Sequence, residues 1–155
     1  MSREAYLIMF FLLINFGGLA LGGWLMDEGA SSNWYMGLNK APWTPPGWVF
    51  GVAWTIIMAL FSIYLAVLFS NYYSLYILRL FLAEFLLNVS WNYVFFNKKM
   101  ILLGLIIIIL LTSLIFYFFF MVNRKKLNNI RWLLMPYMVW LCIATSLNLY
   151  ILLHN

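Results

Sequence analysis

From Met100 to Val122 the chain carries no charged side chain and runs through almost unbroken Ile, Leu and Phe. A helix of that length crosses the hydrocarbon of a bilayer, which takes about 20 apolar residues. The rest of the sequence is too apolar to cover such an element in water. Of the 155 residues, 66% are hydrophobic and 8% are charged, where a soluble domain is about half apolar and about a quarter charged. That balance excludes disorder, a coiled coil and a nucleic-acid reader, whose surface must be rich in Lys and Arg. It excludes an ordinary cytosolic enzyme as well. The solvent that suits this chain is lipid.

Length then bounds the architecture. The expected fold is all-α: a single domain over residues 1–155, an integral membrane bundle of five transmembrane helices. The spans fall at about 5–26, 44–69, 75–96, 100–122 and 132–153, with one long connection at 27–43. Ala20-Leu21-Gly22 resembles a signal-peptide cleavage site. The first stretch is long for a signal peptide, and Arg3 stands beside Glu4, so a retained helix is expected. Gly18 and Gly22 share a helical face, where a neighbouring helix can come close. The plainer account is that glycine is common in membrane helices. Thr44 is placed to cap the second helix, and Pro45 suits its first turn.

The connection 27–43 is polar, yet it carries Trp34, Tyr35, Met36 and Leu38. It reads as a lid or binding loop, or as an interfacial segment with its rings at the headgroups. Charge sets the expected orientation. One side collects Arg3, Arg79, Arg124, Lys125, Lys126 and Arg131; the other collects Lys40, Lys98 and Lys99, offset by Asp27 and Glu28. The positive-inside rule places the N-terminus in the cytoplasm and the long connection outside.

Cys142 and His154 are the only residues of their kinds. No disulfide, cysteine cluster or histidine-based metal site is expected. No Ser-His-Asp set or phosphate-binding glycine loop can be assembled, so no catalytic residue is assigned.

Lipid-facing helix surface asks only for Leu, Ile, Val and Phe, so departures are informative. Trp43, Gly47, Phe50, Trp54 and Phe61 recur along the second span. Glu84, Asn88, Trp91 and Phe95 recur along the third, and Pro136, Trp140, Ala144 and Asn148 along the fifth. At these spacings each set shares one helix face. Two readings fit. One is packing, with end tryptophans in the interface belt and Asn as glue between helices. The other is an interhelical cavity for a large, planar, apolar ligand. The belt accounts for Trp43, Trp48 and Trp132 better than for Trp54, Trp91 and Trp140, which lie deeper. Glu84 must face the interior, because a carboxylate in lipid costs about 2.5 kcal/mol or more. A hydrogen-bonded structural acid is the expected role; a proton- or cation-coupled transport site is the alternative.

Three blocks together resemble the translocator protein/tryptophan-rich sensory protein (TspO) family. The first is Trp34-Tyr35 followed by Leu38-Asn39-Lys40-Ala41-Pro42-Trp43-Thr44-Pro45-Pro46 and Trp54. The second is Leu87-Asn88 with Trp91 and Phe95-Phe96. The third is Leu134-Met135-Pro136-Tyr137-Met138-Val139-Trp140, continuing through Ala144-Thr145-Ser146-Leu147-Asn148. The resemblance implies a receptor- or sensor-type five-helix bundle in the bacterial cell membrane, often a homodimer, with a cavity closed by the first loop. It implies binding of porphyrins such as protoporphyrin IX and of benzodiazepine-type molecules, with transport or light-dependent breakdown of the porphyrin as further expectations. No cofactor beyond such a ligand, and no nucleic acid, is implied. Carried over by motif position, Tyr35, Trp54, Asn88, Trp91, Trp140, Ala144 and Asn148 line or support the cavity. For a tetrapyrrole ligand, Lys40 or another loop cation is available to a propionate. The cholesterol motif of animal members is incomplete: Tyr150 is followed by Ile151-Leu152-Leu153-His154-Asn155, without Lys or Arg.

Overall fold

The computed structural model describes residues 2–121 and 128–155, and among these every regular element is helical. Six α-helices follow in order: α1 Arg3–Leu25, α2 Asn33–Met36, α3 Gly47–Tyr72, α4 Leu75–Asn92, α5 Ile101–Met121 and α6 Met135–His154. Short 3-10 turns lie at Gly29–Ser31 and Ile130–Leu134, and a π-helical turn at Tyr93–Asn97 ends α4. Val122, the expected end of the fourth span, and Arg124, Lys125 and Lys126, on which part of the charge argument rests, lie outside the described residues.

The five long helices close into a ring. Helix α1 packs on α3 and α4, α5 packs on α4 and α6, and α3 meets α6 and the turn before it. Four helical stretches are long and apolar enough to cross a membrane: Arg3–Ser31, Gly47–Tyr72, Ile101–Met121 and Ile130–His154. Helix α4 is shorter, at 18 residues, and carries Arg79, Glu84, Asn88 and Asn92. The same groups that lower its hydropathy include those that tie it to its neighbours.

Local chemistry sets the helix ends. The hydroxyls of Ser2, Ser32 and Ser74 accept from the N–H groups of Ala5, Tyr35 and Ile77 and cap α1, α2 and α4. The expected cap at Thr44 does not form. Helix α3 starts at Gly47 with Pro46 at its N-cap. Thr44 and Pro45 each precede a proline, and the proline ring clashes with a helical conformation at the residue before it. Thr44 instead closes a turn, its N–H and hydroxyl both donating to Ala41 O at 3.0 and 2.7 Å.

Inside the ring the packing is aromatic, and several of its polar side chains pair across helices, as a dry interior demands. Phe11 of α1 meets Phe69 and Phe81 edge-on. Asn15 donates to Ser62 Oγ (2.8 Å), and that hydroxyl donates to Met58 O (2.6 Å). Tyr64 OH donates to Phe118 O across α3 and α5. The glycines of α1 divide by face. A Cβ on Gly18 would stand 2.6 Å from Phe85 Cε2, and one on Gly22 would stand 2.6 Å from Asn92 Nδ2. Gly17 and Gly23 face open space. Gly18 and Gly22 thus let α1 and α4 approach closely.

Candidate functional site

The polar residues of α4 and α6 meet in two layers. In the first, Tyr137 OH donates to Glu84 Oε1 at 2.7 Å, and Asn88 Nδ2 donates to the Tyr137 oxygen at 3.0 Å. Glu84 and Tyr137 are each 1% exposed. Trp54 and Phe61 of α3 stand edge-on to the Tyr137 ring, at 5.8 and 5.4 Å. Three helices converge on one phenol.

In the second layer Trp91 Nε1 donates to Asn148 Oδ1 at 3.2 Å, and Asn148 Nδ2 donates to Ile101 O at 3.3 Å. Gly104 makes room for this layer: a Cβ there would lie 3.1 Å from Phe95 and 3.4 Å from Asn148. Trp91 stacks on Phe95 with centroids 5.3 Å apart.

Above that pair sits the connection. Its short helix α2 lays Trp34 edge-on against Phe95 and Tyr35 against Phe96. Burial pushes the Tyr35 phenol pKa up. Lys40, expected to await a carboxylate ligand, is otherwise engaged. Its Nζ donates to the carbonyls of Tyr35 and Met36 at 2.9 and 3.2 Å and lies over the Tyr35 ring. A cation at a helix C-terminus meets the unpaired carbonyls and the negative end of the dipole. Trp43 is half exposed, as a belt residue would be, but its Nε1 also donates to Ser146 Oγ and its ring meets Tyr150. Trp48 and Trp132 face outward, as the belt reading expects.

Trp140 differs from the other inward tryptophans. It is 6% exposed, packs edge-on to Phe50, and its Nε1 is buried without a hydrogen-bond partner among the described residues. Ala144, one turn on, is also buried. Trp140 forms part of the wall of an open recess of about 410 Å³ between α3 and α6. Ala53, Ile56 and Ile57 line one side; Met135, Pro136 and Val139 line the other.

The seven expected site residues therefore fall into groups. Asn88, Trp91 and Asn148 join α4 to α6; Trp54 braces Tyr137; Trp140 and Ala144 face α3; Tyr35 belongs to the roof. Tyr137, the hub, was not among them. A signal was present: Tyr137 precedes Trp140 by three residues and Ala144 by seven, so it shares their face. Ser146 and the Ile101 carbonyl had no such signal.

A ring of long apolar helices, an interhelical cluster of aromatics with few polar atoms, and a folded-back roof define a class: an integral membrane protein built around its helix interfaces. Sequence comparison places the chain within that class. The profile of the TspO/MBR family matches residues 10–154, and the chain belongs to that family. It is 32% identical to a tryptophan-rich protein TspO of Archaeoglobus fulgidus, over 88% of this chain and 91% of that one. It is 29% identical to a tryptophan-rich protein TspO of Bacillus cereus, over 74% and 76%. It is 31% identical to a tryptophan-rich sensory protein of Cereibacter sphaeroides, over 74% and 72%.

Proposed function

We propose that this protein binds a flat, largely apolar molecule of the tetrapyrrole class between α3 and α6, beside their contact with α4, with the connection 27–43 as its roof. In this reading all five long helices span the bilayer, with the N-terminus in the cytoplasm. One observation carries it: the Trp140 indole N–H is buried with no partner, beside an apolar recess. A buried donor left unpaired costs about 1–3 kcal/mol. A ligand acceptor would remove that cost, while Ile56, Ile57, Val139 and the Trp140 ring offer apolar surface to a planar body. The recess lies within the usual range of small-molecule pockets, roughly 300–1,000 Å³. Tyr35, Trp54, Asn88, Trp91, Ala144 and Asn148 line the site or hold its walls.

The transport reading through Glu84 has no comparable support. Its carboxyl is committed to Tyr137 and lies beside Asn88.

The test is titration of protoporphyrin IX against tryptophan fluorescence in detergent. Trp140→Phe keeps a ring and loses the N–H, and is expected to weaken binding by roughly tenfold, the equivalent of one hydrogen bond of about 1.4 kcal/mol. Unchanged affinity in Trp140→Phe and in a Trp54→Ala/Trp140→Ala double variant would refute the site. Illuminating the complex and looking for a new pigment that requires Trp54 and Trp140 tests light-dependent breakdown.

A further inference from the structure

The stretch from Asn39 to Trp43 is fastened to α6 at two points. At one, a single side-chain amide reads both backbone groups of Asn39. Asn155 Oδ1 accepts from Asn39 N–H at 2.9 Å, and Asn155 Nδ2 donates to Asn39 O at 3.3 Å. The Asn39 side chain answers by donating to His154 O at 3.1 Å. At the other point Trp43 Nε1 donates to Ser146 Oγ at 3.1 Å. Asn39 meets Asn155 just past the end of α6, whereas Trp43, beyond the start of the Ala41–Thr44 turn, meets Ser146 nearer its middle. The segment lies along the helix as a strap, antiparallel to it.

The clasps differ in kind from the rest of the roof. Trp34 and Tyr35 are held by ring contacts with Phe95 and Phe96, whereas Asn39, His154 and Asn155 are all exposed. Water competes for exposed hydrogen bonds, so each is weak and readily remade. The Asn155 amide is held ready by a further bond, Nδ2 to Ile151 O at 2.8 Å. A pre-oriented amide facing a backbone N–H and C=O, in a place open to solvent, is the arrangement of a reversible fastening.

We infer that the Asn39–Asn155 pair is a latch that sets how often the strap lifts from α6. On the reading proposed above, lifting it opens the interhelical site, so the latch also governs how fast a ligand enters and leaves.

The experiment is hydrogen exchange of the unliganded chain in nanodiscs, read by mass spectrometry on peptides covering residues 38–44. Asn155→Ala removes its two bonds to Asn39, leaves those to His154 O and Ser146 Oγ, and is expected to speed exchange there by roughly five- to thirtyfold. Asn155→Asp keeps an acceptor and loses the donor, and should fall between wild type and Asn155→Ala. Exchange in α3 and α6 upstream of Leu147 should not change. Strap exchange in Asn155→Ala equal to wild type would overturn the latch, and so would faster exchange of the whole bundle. Stopped-flow mixing with protoporphyrin IX supplies the second arm. Association and dissociation should quicken together in Asn155→Ala, with little change in their ratio. Absence of protoporphyrin binding to the wild-type chain would count against the ligand reading, while the exchange result would still decide the latch.

Discussion

Replacing Tyr137 with phenylalanine removes one oxygen atom from the contact of α4, α6 and α3. That oxygen donates to Glu84 Oε1 at 2.7 Å and accepts from Asn88 Nδ2 at 3.0 Å. Hydrogen bonds between membrane helices average about 0.6 kcal/mol and reach about 1.7. Stranding a buried polar atom costs about 1–3 kcal/mol. Glu84 is 1% exposed and falls at the upper end; Asn88 is half-buried and falls at the lower. Tyr137→Phe is therefore expected to destabilise the bundle by about 2–3 kcal/mol. Glu84→Met on its own strands the phenol hydrogen and should cost about 1–2 kcal/mol. The double variant removes the buried Glu84–Tyr137 pair together, which is often close to neutral, and leaves only the half-buried Asn88 amide short of its acceptor, at about 1 kcal/mol. A favourable coupling of at least about 1 kcal/mol should then appear in the double-mutant cycle. The assay is reversible unfolding in mild detergent, with each variant's midpoint compared to wild type. Single-variant costs that add to within about 0.5 kcal/mol would refute the reasoning, because they would mean that the pair does not act as a unit.

Three further outcomes follow from the same geometry. Gly18→Ala should destabilise by about 1–3 kcal/mol as overpacking against Phe85, whereas Gly17→Ala, facing open space, should be neutral or gain up to about 1 kcal/mol in helix propensity; thermal midpoints of the two check this. Asn148→Leu strands Trp91 Nε1 and uncovers the Ile101 carbonyl, so a loss of about 1–3 kcal/mol is expected, with a shift in tryptophan emission reporting the freed indole. Lys40→Met removes the donor to the Tyr35 and Met36 carbonyls. It should speed hydrogen exchange across residues 33–37 by about fivefold, and unchanged exchange there would show that the lysine does not hold α2.

The distribution of legible and illegible features is informative. Membrane residence follows from composition, because no chain of this length can hide so much apolar surface from water. The stripes on the second, third and fifth spans also follow, since helical periodicity is a local property. Thr44 misled because its capping chemistry was sound and the proline pair overrode it. Lys40 illustrates a related point. A lone loop cation reads as free until the helix C-terminus beside it is known. Glycine faces show the same divide: Gly17 and Gly18 are adjacent and alike in sequence, yet Gly18 alone of the two meets a neighbour.

By itself the sequence determined that the chain is a helical membrane protein, where its helices run, and to which family it belongs. Those properties rest on length, apolar content and motif spacing, which are read along the chain. Partner choice was decided by the tertiary structure alone. It made Tyr137 the hub for Glu84 and Asn88, left the Trp140 N–H without a partner, and strapped Asn39 to Asn155. The paired residues stand 49 to 116 positions apart, and the indole finds no partner among the described residues. A hydrogen bond depends on a few tenths of an ångström between atoms. Such distances are set only when the helices have packed.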